Sequence, residues 1–149
     1  MYDVLKRGAR KAVMLDTSLL VAYFHPEDEN HAAARAFFAG FREETIRARP
    51  LYTSESAVDE MATTLLGRAN HDRATQALAF LDSSSQLRVL HVDPDTYART
   101  IEQFSAYDDQ AASFTDHAIA IQARDNDVEY VVSFDGDFAV FDLVTLPSQ

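Results

Sequence analysis

Residues 13–24 read VMLDTSLLVAYF, and the fold class follows from this pattern. Residues 13–15 are a short apolar run, which is typical of a buried strand. Asp16 then interrupts the run, and two hydroxyl residues follow before residues 19–24 become apolar again. In parallel α/β sheets, ligands bind at the carboxyl ends of the strands. An acid that directly follows a buried strand is therefore a candidate functional residue.

Short apolar runs and helical segments alternate along the rest of the chain. The runs predict further strands at residues 51–53, 87–92, 130–134 and 143–145. Apolar residues at helical spacing and capping residues predict helices at residues 32–41, 54–66, 72–81, 94–107 and 113–123. We expect Gly67 to end the helix that begins at residue 54, and residues 48–50 to form a linker. This alternation predicts an α/β fold with a central parallel sheet.

Length and composition exclude several classes of protein. A chain of 149 residues predicts one domain, and a hydrophobic content of 47% argues against wholesale disorder. The absence of cysteine excludes a disulfide framework, a thiolate metal site and a cysteine nucleophile. No apolar run approaches the roughly 20 residues that span a bilayer, and the N-terminus lacks a signal-peptide pattern. We therefore expect a cytoplasmic protein without a membrane segment.

The charge is strongly negative and unevenly distributed. The chain has 24 acidic and 13 basic residues, giving a net charge of −11, and residues 51–149 contain 17 of the acidic and only 5 of the basic ones. Such a surface repels a polyanion at long range unless cations intervene. Adaptation to high salt and convergence of carboxylates on metal ions are both consistent with this composition.

Four acids occupy positions where the predicted fold places function. Asp16 and Asp135 directly follow predicted strands, Asp116 lies at a helix start, and Glu60 lies in the helix after the second strand. Each also has a structural interpretation, as a helix cap for Asp16, a partner of the helix dipole for Asp116, a turn residue for Asp135 and a solvated residue for Glu60. Taken singly, none of the four indicates a function.

Taken together, the motifs around these acids are more informative. They read LDTS at 15–18, TSESAVDE at 53–60, SFTD at 113–116 and VSFDGDF at 132–138. This ordered set resembles the PIN-domain nuclease family, including its toxin-type (VapC-like) members, over about residues 13–146. The resemblance implies a single PIN-like domain at residues 13–149, with helices on both faces of a parallel sheet. Residues 1–12 would then be a basic N-terminal extension.

The resemblance also implies a site and a reaction. Its catalytic and metal-binding residues would be Asp16, Glu60, Asp116 and Asp135. They would hold Mg²⁺ or Mn²⁺, which all-oxygen ligation favours over Zn²⁺, and hydrolyse RNA phosphodiester bonds. The hydroxyls of Thr17, Ser18 and Ser133 would support these ligands. The roles of two further acids near the motifs, Asp109 and Asp137, stay open.

Partners and alternatives follow from the same comparison. The resemblance implies an RNA substrate, a homodimer and, for a toxin of a toxin–antitoxin pair, a small antitoxin protein. A PIN-like binding or assembly module without catalysis is the main alternative. A receiver-type phosphoacceptor domain needs a lysine near its last strand, and the chain has no lysine after Lys11.

The basic residues are candidates for contact with nucleic acid. Lys6, Arg7, Arg10 and Lys11 form a cluster that we expect to lie on a solvated tail. The later arginines of the less acidic segment are candidates for one side of a substrate groove, and they are Arg35, Arg42, Arg47 and Arg49.

Overall fold

A computed structural model describes residues 1–108 and 111–148 of the chain, so Asp109 lies outside the described residues. The elements alternate as predicted, with the bounds β1 (Lys11–Leu15), α1 (Thr17–Phe24), α2 (His31–Arg42), β2 (Ala48–Ser54), α3 (Glu55–Arg68), α4 (His71–Ser83), β3 (Leu87–Leu90), α5 (Pro94–Ala106), α6 (Phe114–Asp125), β4 (Tyr130–Val132) and β5 (Val144–Leu146). Two short 3-10 turns lie at Asp3–Lys6 and Ala139–Phe141. No helix within the described ranges is long and apolar enough to cross a membrane.

The five strands form one parallel sheet in the order β3-β2-β1-β4-β5. Leu15, the last residue of the central strand β1, pairs with Thr53 of β2 and with Val132 of β4. The residues that follow these three positions therefore emerge side by side at one edge of the sheet. The predicted parallel α/β fold is confirmed, and this edge is where its functional residues are expected.

Helices cover both faces of the sheet. Val13 and Leu15 of β1 join a core cluster that includes side chains of α1 to α4, whereas Met14 joins a second cluster that includes α6. This alternation is the two-residue period of a strand that is buried on both faces. Helix α5 packs on α6, with the rings of Phe104 and Phe114 centred 6.1 Å apart. The implied arrangement of helices on both faces is confirmed.

The segment before β1 is anchored to the core by two apolar side chains. Tyr2 and Leu5 are only 2% and 0% exposed. The Tyr2 ring packs edge-to-face on Phe37 at 5.3 Å, and its hydroxyl donates to the carbonyl of Ala33 at 2.8 Å. The prediction of a solvated tail is therefore correct for most of the basic side chains. It is wrong for the backbone of this segment, which is attached to the core. The division of the chain at residue 12 stays a prediction.

Two local predictions are wrong. Residues 48–50 are the start of β2 rather than a linker, because Ala48 already pairs with Lys11 of β1. Gly67 lies inside α3, which continues to Arg68. Ala69 follows the end of α3, and Asn70 then caps α4 by accepting a hydrogen bond from the Arg73 N–H at 2.8 Å.

Candidate active site

Asp16 is the buried centre of the carboxyl edge of the sheet. It directly follows β1 and is 3% exposed. One carboxylate oxygen, Oδ1, accepts a hydrogen bond from the Thr17 N–H at 2.8 Å, so Asp16 is the N-cap of α1. The other, Oδ2, accepts from the Ser133 hydroxyl at 2.7 Å. The side chain is therefore fixed from β1, α1 and the end of β4 at once.

The surroundings of Asp16 disfavour its negative charge. Burial raises the pKa of its carboxyl from the ordinary value of 3.8 to about 7, and the charges of Asp116 and Asp135 add to the rise. Hydrogen bonds from Ser133 and Thr17 act in the opposite direction and lower the pKa. The net effect leaves a carboxylate that a cation in the same cleft would stabilise.

All four predicted acids line one open cleft of about 470 Å³. The lining residues are Asp16, Thr17, Asp59, Glu60, Thr63, Thr64, Ser113, Asp116, Asp135 and Gly136. The structure thus brings together residues that are 119 positions apart in sequence, from Asp16 to Asp135. Their roles stay predictions, but their common location meets the geometric requirement for a shared site.

The cleft also includes residues that the motifs did not assign. Asp59 precedes Glu60 on α3, and Thr63 and Thr64 lie one turn further along the same helix. Residues three and four positions apart lie on the same face of a helix. The position of Glu60 on α3 therefore already indicated that Thr63 and Thr64 lie on the same face. Asp59 adds a carboxylate to the cleft.

Glu60 is exposed, as its position away from the apolar face of α3 predicted, but it faces the cleft. Its Oε2 accepts a hydrogen bond from the Thr17 hydroxyl at 3.0 Å. Thr17 follows Asp16 directly, so this bond connects the acid on α3 to the acid that ends β1. Thr17 is therefore the residue that sets the orientation of Glu60 relative to Asp16.

Asp116 caps the start of α6 and also lines the cleft. Its backbone N–H donates to the Ser113 hydroxyl at 3.0 Å, and its Oδ2 accepts from the Ser113 N–H at 3.0 Å. This reciprocal pair is a capping box at the start of α6. The cap holds the carboxylate at the helix N-terminus, on the wall of the cleft.

The loop after β4 is tied to Asp16 through Ser133. The Ser133 hydroxyl donates to Asp16 and accepts from the Gly136 N–H at 2.9 Å. A methyl group at Gly136 would lie 2.7 Å from the Phe138 ring and 2.9 Å from the Ser133 hydroxyl oxygen. The absence of a side chain at position 136 thus allows the loop that carries Asp135 to pack closely against the strand ends.

Asp137 does not line the cleft. Its carboxylate accepts a hydrogen bond from the Ala139 N–H at 3.0 Å and so stabilises the turn that follows. The exposed side chain of Asp137 makes it a useful control for the cleft acids, because it is a carboxylate of the same loop with a local structural contact.

The later arginines of the less acidic segment were predicted to line one side of a substrate groove. This prediction is wrong for at least two of them. Arg47 and Arg49 line a separate pocket of about 190 Å³ together with Arg10. This pocket lies near the amino ends of β1 and β2, because Arg49 is the second residue of β2 and Arg10 precedes β1. No basic residue of the described part of the chain lines the acidic cleft. Arg10, Arg47 and Arg49 therefore lie at the opposite end of the strands from the acidic cleft.

The oxygen donors of the cleft fit a hard divalent cation held by few protein ligands. Within residues 1–108 and 111–148, no three acidic or histidine side chains converge closely enough to enclose one ion. Mg²⁺ keeps several water ligands and is commonly bound by one or two carboxylates, so a closed cage is not required. Burial and the charges of Asp116 and Asp135 disfavour the ionised form of Asp16. A bound divalent ion would therefore stabilise the Asp16 carboxylate most strongly.

Comparison with known proteins agrees with the fold. Residues 13–143 match the PIN domain family, so the chain belongs to this family. The 23S rRNA-specific endonuclease VapC20 of Mycobacterium tuberculosis is 28% identical over 127 residues, which are 85% of this chain and 92% of the relative.

Solved structures show the same similarity. The crystal structure of Mycobacterium tuberculosis VapC20, described as a Sarcin-Ricin loop cleaving toxin, gives a TM-score of 0.79 at 28% identity and covers 89% of this chain and 97% of VapC20. FitAcB from Neisseria gonorrhoeae shares the fold, with a TM-score of 0.60 at 18% identity over 89% of this chain and 95% of its own. A toxin–antitoxin complex from Klebsiella pneumoniae has a TM-score of 0.56 at 17% identity, covering 86% and 91% of the two chains.

Proposed function

We propose that this protein is an endoribonuclease that hydrolyses RNA phosphodiester bonds with a bound Mg²⁺ or Mn²⁺, and that it is the toxin of a toxin–antitoxin pair. The observation that carries this proposal is the convergence of Asp16, Glu60, Asp116 and Asp135 on one cleft. Membership of the PIN domain family and the similarity to a ribosomal RNA endonuclease support the same reaction.

Some residues of the cleft are candidate metal ligands, and others orient those ligands. Asp16 and Asp116 are the principal candidate ligands, because each is fixed by hydrogen bonds to its own helix start. Thr17 orients Glu60, and Ser133 orients Asp16. A divalent ion bound there supplies positive charge and an activated water for attack on a phosphodiester. The surrounding carboxylates disfavour binding of RNA unless that ion is present.

The partners of this enzyme are also proposals. RNA is the substrate class, and ribosomal RNA is the first substrate to test because VapC20 is specific for 23S rRNA. A small antitoxin protein that covers the cleft would be its inhibitor, as the similarity to chains from toxin–antitoxin complexes suggests. A homodimer and a cytoplasmic location stay predictions.

Cleavage of structured RNA by the purified protein with Mn²⁺ is the expected result of the first experiment. Chelation of the metal should abolish cleavage, and Asp116→Asn should lower the rate by at least about 100-fold, because it removes a charge that acts on the transition state through the ion. The measurement is single-turnover cleavage of ribosomal RNA, in low and in high salt.

Asp137→Asn is the matched control for this experiment. It removes a carboxylate from the same surface region without touching the cleft, so it should retain activity within about threefold. Equal activity of Asp116→Asn and the unmodified protein would contradict the site assignment. A folded protein that cleaves no RNA under any condition would favour the catalytically silent binding module.

Thr17→Val is expected to lower the cleavage rate by about 10- to 100-fold, the range found when groups that orient metal ligands are removed. The substitution deletes the hydroxyl that donates to Glu60 but conserves the volume of the side chain. It should also raise the Mn²⁺ concentration needed for half-maximal activity. Thr17→Ser keeps the donor and should restore both values, whereas a Ser variant as impaired as the Val variant would show that the methyl group matters instead.

A further inference from the structure

A second chamber opens beside the acidic cleft, and we call it the side chamber. Its volume is about 490 Å³, and three of its lining residues, Thr17, Thr64 and Asp135, also line the cleft. The two spaces therefore adjoin along these residues. A chamber of this size lies within the range of about 300–1,000 Å³ that is usual for small-ligand sites. The side chamber is thus a candidate for holding the part of a substrate that lies next to the reacting bond.

Arg68 is the one basic residue, within the described part of the chain, that lines either the cleft or the side chamber. It lies in the last turn of α3, eight residues after Glu60 and four residues after Thr64. Residues at these spacings belong to one stripe of a helix. Helix α3 therefore presents an acid, a hydroxyl and a base in a row, from the cleft into the side chamber. The backbone positions of Glu60 and Arg68 are about 12 Å apart along the helix axis, because each residue rises by about 1.5 Å.

Asp28 orients the Arg68 side chain. The Arg68 Nη2 atom donates to Oδ2 of Asp28 at 3.4 Å, and the Asp28 side chain is itself only 11% exposed. Oδ1 of Asp28 accepts from the Asn30 N–H at 2.8 Å, which fixes this carboxylate on its loop. The Arg68 side chain remains 52% exposed. A guanidinium has five N–H donors in a planar fork, and the bond to Asp28 uses one of them, so the group can also bind an anion.

An RNA strand in the cleft brings more than one phosphate to this surface. The scissile phosphate would lie at the metal ion, and the neighbouring phosphates would face carboxylates, which repel them. The side chamber has further carboxylates on its exposed wall, at Glu27 and Glu29. Arg68 is therefore the position on this surface at which a neighbouring phosphate gains from a positive side chain. Guanidinium groups bind phosphates through two parallel hydrogen bonds, which adds specificity of position to the attraction.

The side chamber also has a place for a base. Phe134 follows β4, is half-buried and lines the chamber. Its backbone N–H donates to the Ser18 hydroxyl at 2.9 Å, which fixes the position of this residue on α1. Unstacked bases of single-stranded RNA stack on aromatic side chains, and carboxylates accept hydrogen bonds from the amino groups of bases. The acidic residues that repel a phosphate can therefore bind the edge of a base.

We propose that the side chamber binds a nucleotide on one side of the scissile bond, with a phosphate on the Arg68 guanidinium and a base against Phe134. This inference rests on the proposed function, because it requires an RNA strand that crosses the cleft. Arg68 lies beyond the four acids, so it contributes to the binding of RNA and not to the chemical step. The side chamber thereby compensates for the repulsion between RNA and the acidic cleft.

Arg68→Gln is expected to weaken RNA binding and to leave the chemical step unchanged. In single-turnover cleavage with Mn²⁺, the protein concentration that gives the half-maximal rate should rise by about 10-fold, and the maximal rate should stay within about threefold. Loss of one phosphate contact should also reduce the slope of log affinity against log salt concentration by about 0.7. Arg68→Lys keeps the positive charge and should retain that slope.

Two further variants separate phosphate binding from other effects. Arg124→Gln is the matched control, because Arg124 is exposed in the last turn of α6, at the other end of that helix from Asp116, and the net charge changes equally. It should bind RNA as the unmodified protein does. Asp28→Asn breaks the ion pair but can still accept from the Asn30 N–H, so it should bind RNA at least as tightly as the unmodified protein. An Asp28→Asn variant as weakened as Arg68→Gln, or an Arg68→Gln variant with unchanged affinity, would overturn the proposal.

Phe134→Leu tests the contact with the base. The substitution keeps an apolar side chain for the core but removes the ring, so the half-maximal protein concentration should again rise by about 10-fold. The salt slope should not change, because stacking neutralises no phosphate. Circular dichroism checks that the variant is folded. A folded Phe134→Leu variant with unchanged affinity would overturn the assignment of a base to the side chamber.

The role of Arg68 can be judged even if the proposed reaction is wrong. If the protein cleaves no RNA, binding can be measured directly by fluorescence anisotropy of labelled single-stranded RNA with Mn²⁺. Binding that is about 10-fold weaker in Arg68→Gln would then support the side chamber and reject the cleavage reaction. Equal binding by the two proteins, or no binding by the unmodified protein, would overturn this inference.

Discussion

Asp16→Asn is expected to abolish metal-dependent RNA cleavage and to leave the fold intact. The substitution removes the buried negative charge that a cation would stabilise. A catalytic metal contributes several kcal/mol of transition-state stabilisation. Since each 1.4 kcal/mol is a factor of ten in rate, the rate should fall by at least about 10³-fold. The measurement is single-turnover cleavage over a range of Mn²⁺ concentrations.

The fold should survive because asparagine keeps the cap of α1. Its side-chain oxygen can still accept from the Thr17 N–H, and its amide can donate to the Ser133 hydroxyl in place of the bond that this hydroxyl now donates. Asp137→Asn serves again as the control with retained activity. If Asp16→Asn cleaved RNA within a few fold of the unmodified rate, this result would show that Asp16 is not part of the catalytic site.

Stability of the metal-free protein is expected to fall as the pH rises from about 4 to about 7. The pKa of the Asp16 carboxyl is raised to about 7 in the folded protein, against an ordinary 3.8, so the folded state binds the proton more tightly than the unfolded chain does. The stabilisation is therefore fully present below pH 4 and is lost as the pH rises through 7. Its size is at most about 4 kcal/mol, since each tenfold change in proton affinity corresponds to about 1.4 kcal/mol.

Asp16→Asn isolates this contribution from those of the other carboxyl groups. The difference in free energy of unfolding between the variant and the unmodified protein should be small at pH 4 and should grow in favour of the variant up to pH 8. Denaturant unfolding in the presence of a chelator measures it. At pH 8, Mn²⁺ should then raise the melting temperature of the unmodified protein more than that of the variant. A difference that does not change with pH would show that Asp16 is ionised normally in the fold.

The sequence predicted the parts of this fold that depend on local pattern. The apolar runs before Asp16 and Asp135 predicted strands, and their carboxyl ends predicted where the acids would lie. The prediction of Glu60 needed the resemblance, since on its helix alone it is an exposed acid. Its bond to Thr17 depends on the packing of α1 beside α3, which no single motif contains.

Other features depend on contacts that no local pattern records. Tyr2 and Leu5 stand among basic residues, and only the tertiary structure shows that they are buried in the core. The register of β2 puts Arg47 and Arg49 near the amino ends of the strands, away from the cleft, and this register is not visible in the local sequence. In each case the deciding partner is distant in sequence or lies on another element.

The position of Asp16 has a consequence for how such an enzyme is switched off. Asp16 is held by hydrogen bonds at the ends of the central strand β1 and its neighbour β4, which belong to the most stable region of an α/β domain. Small fluctuations of outer helices or loops therefore leave the position of the Asp16 carboxylate unchanged. On the proposed function, occupation of the cleft or withdrawal of the metal ion would silence the protein without any movement of Asp16. Release of activity from an occupied cleft would then depend on the lifetime of the occupant.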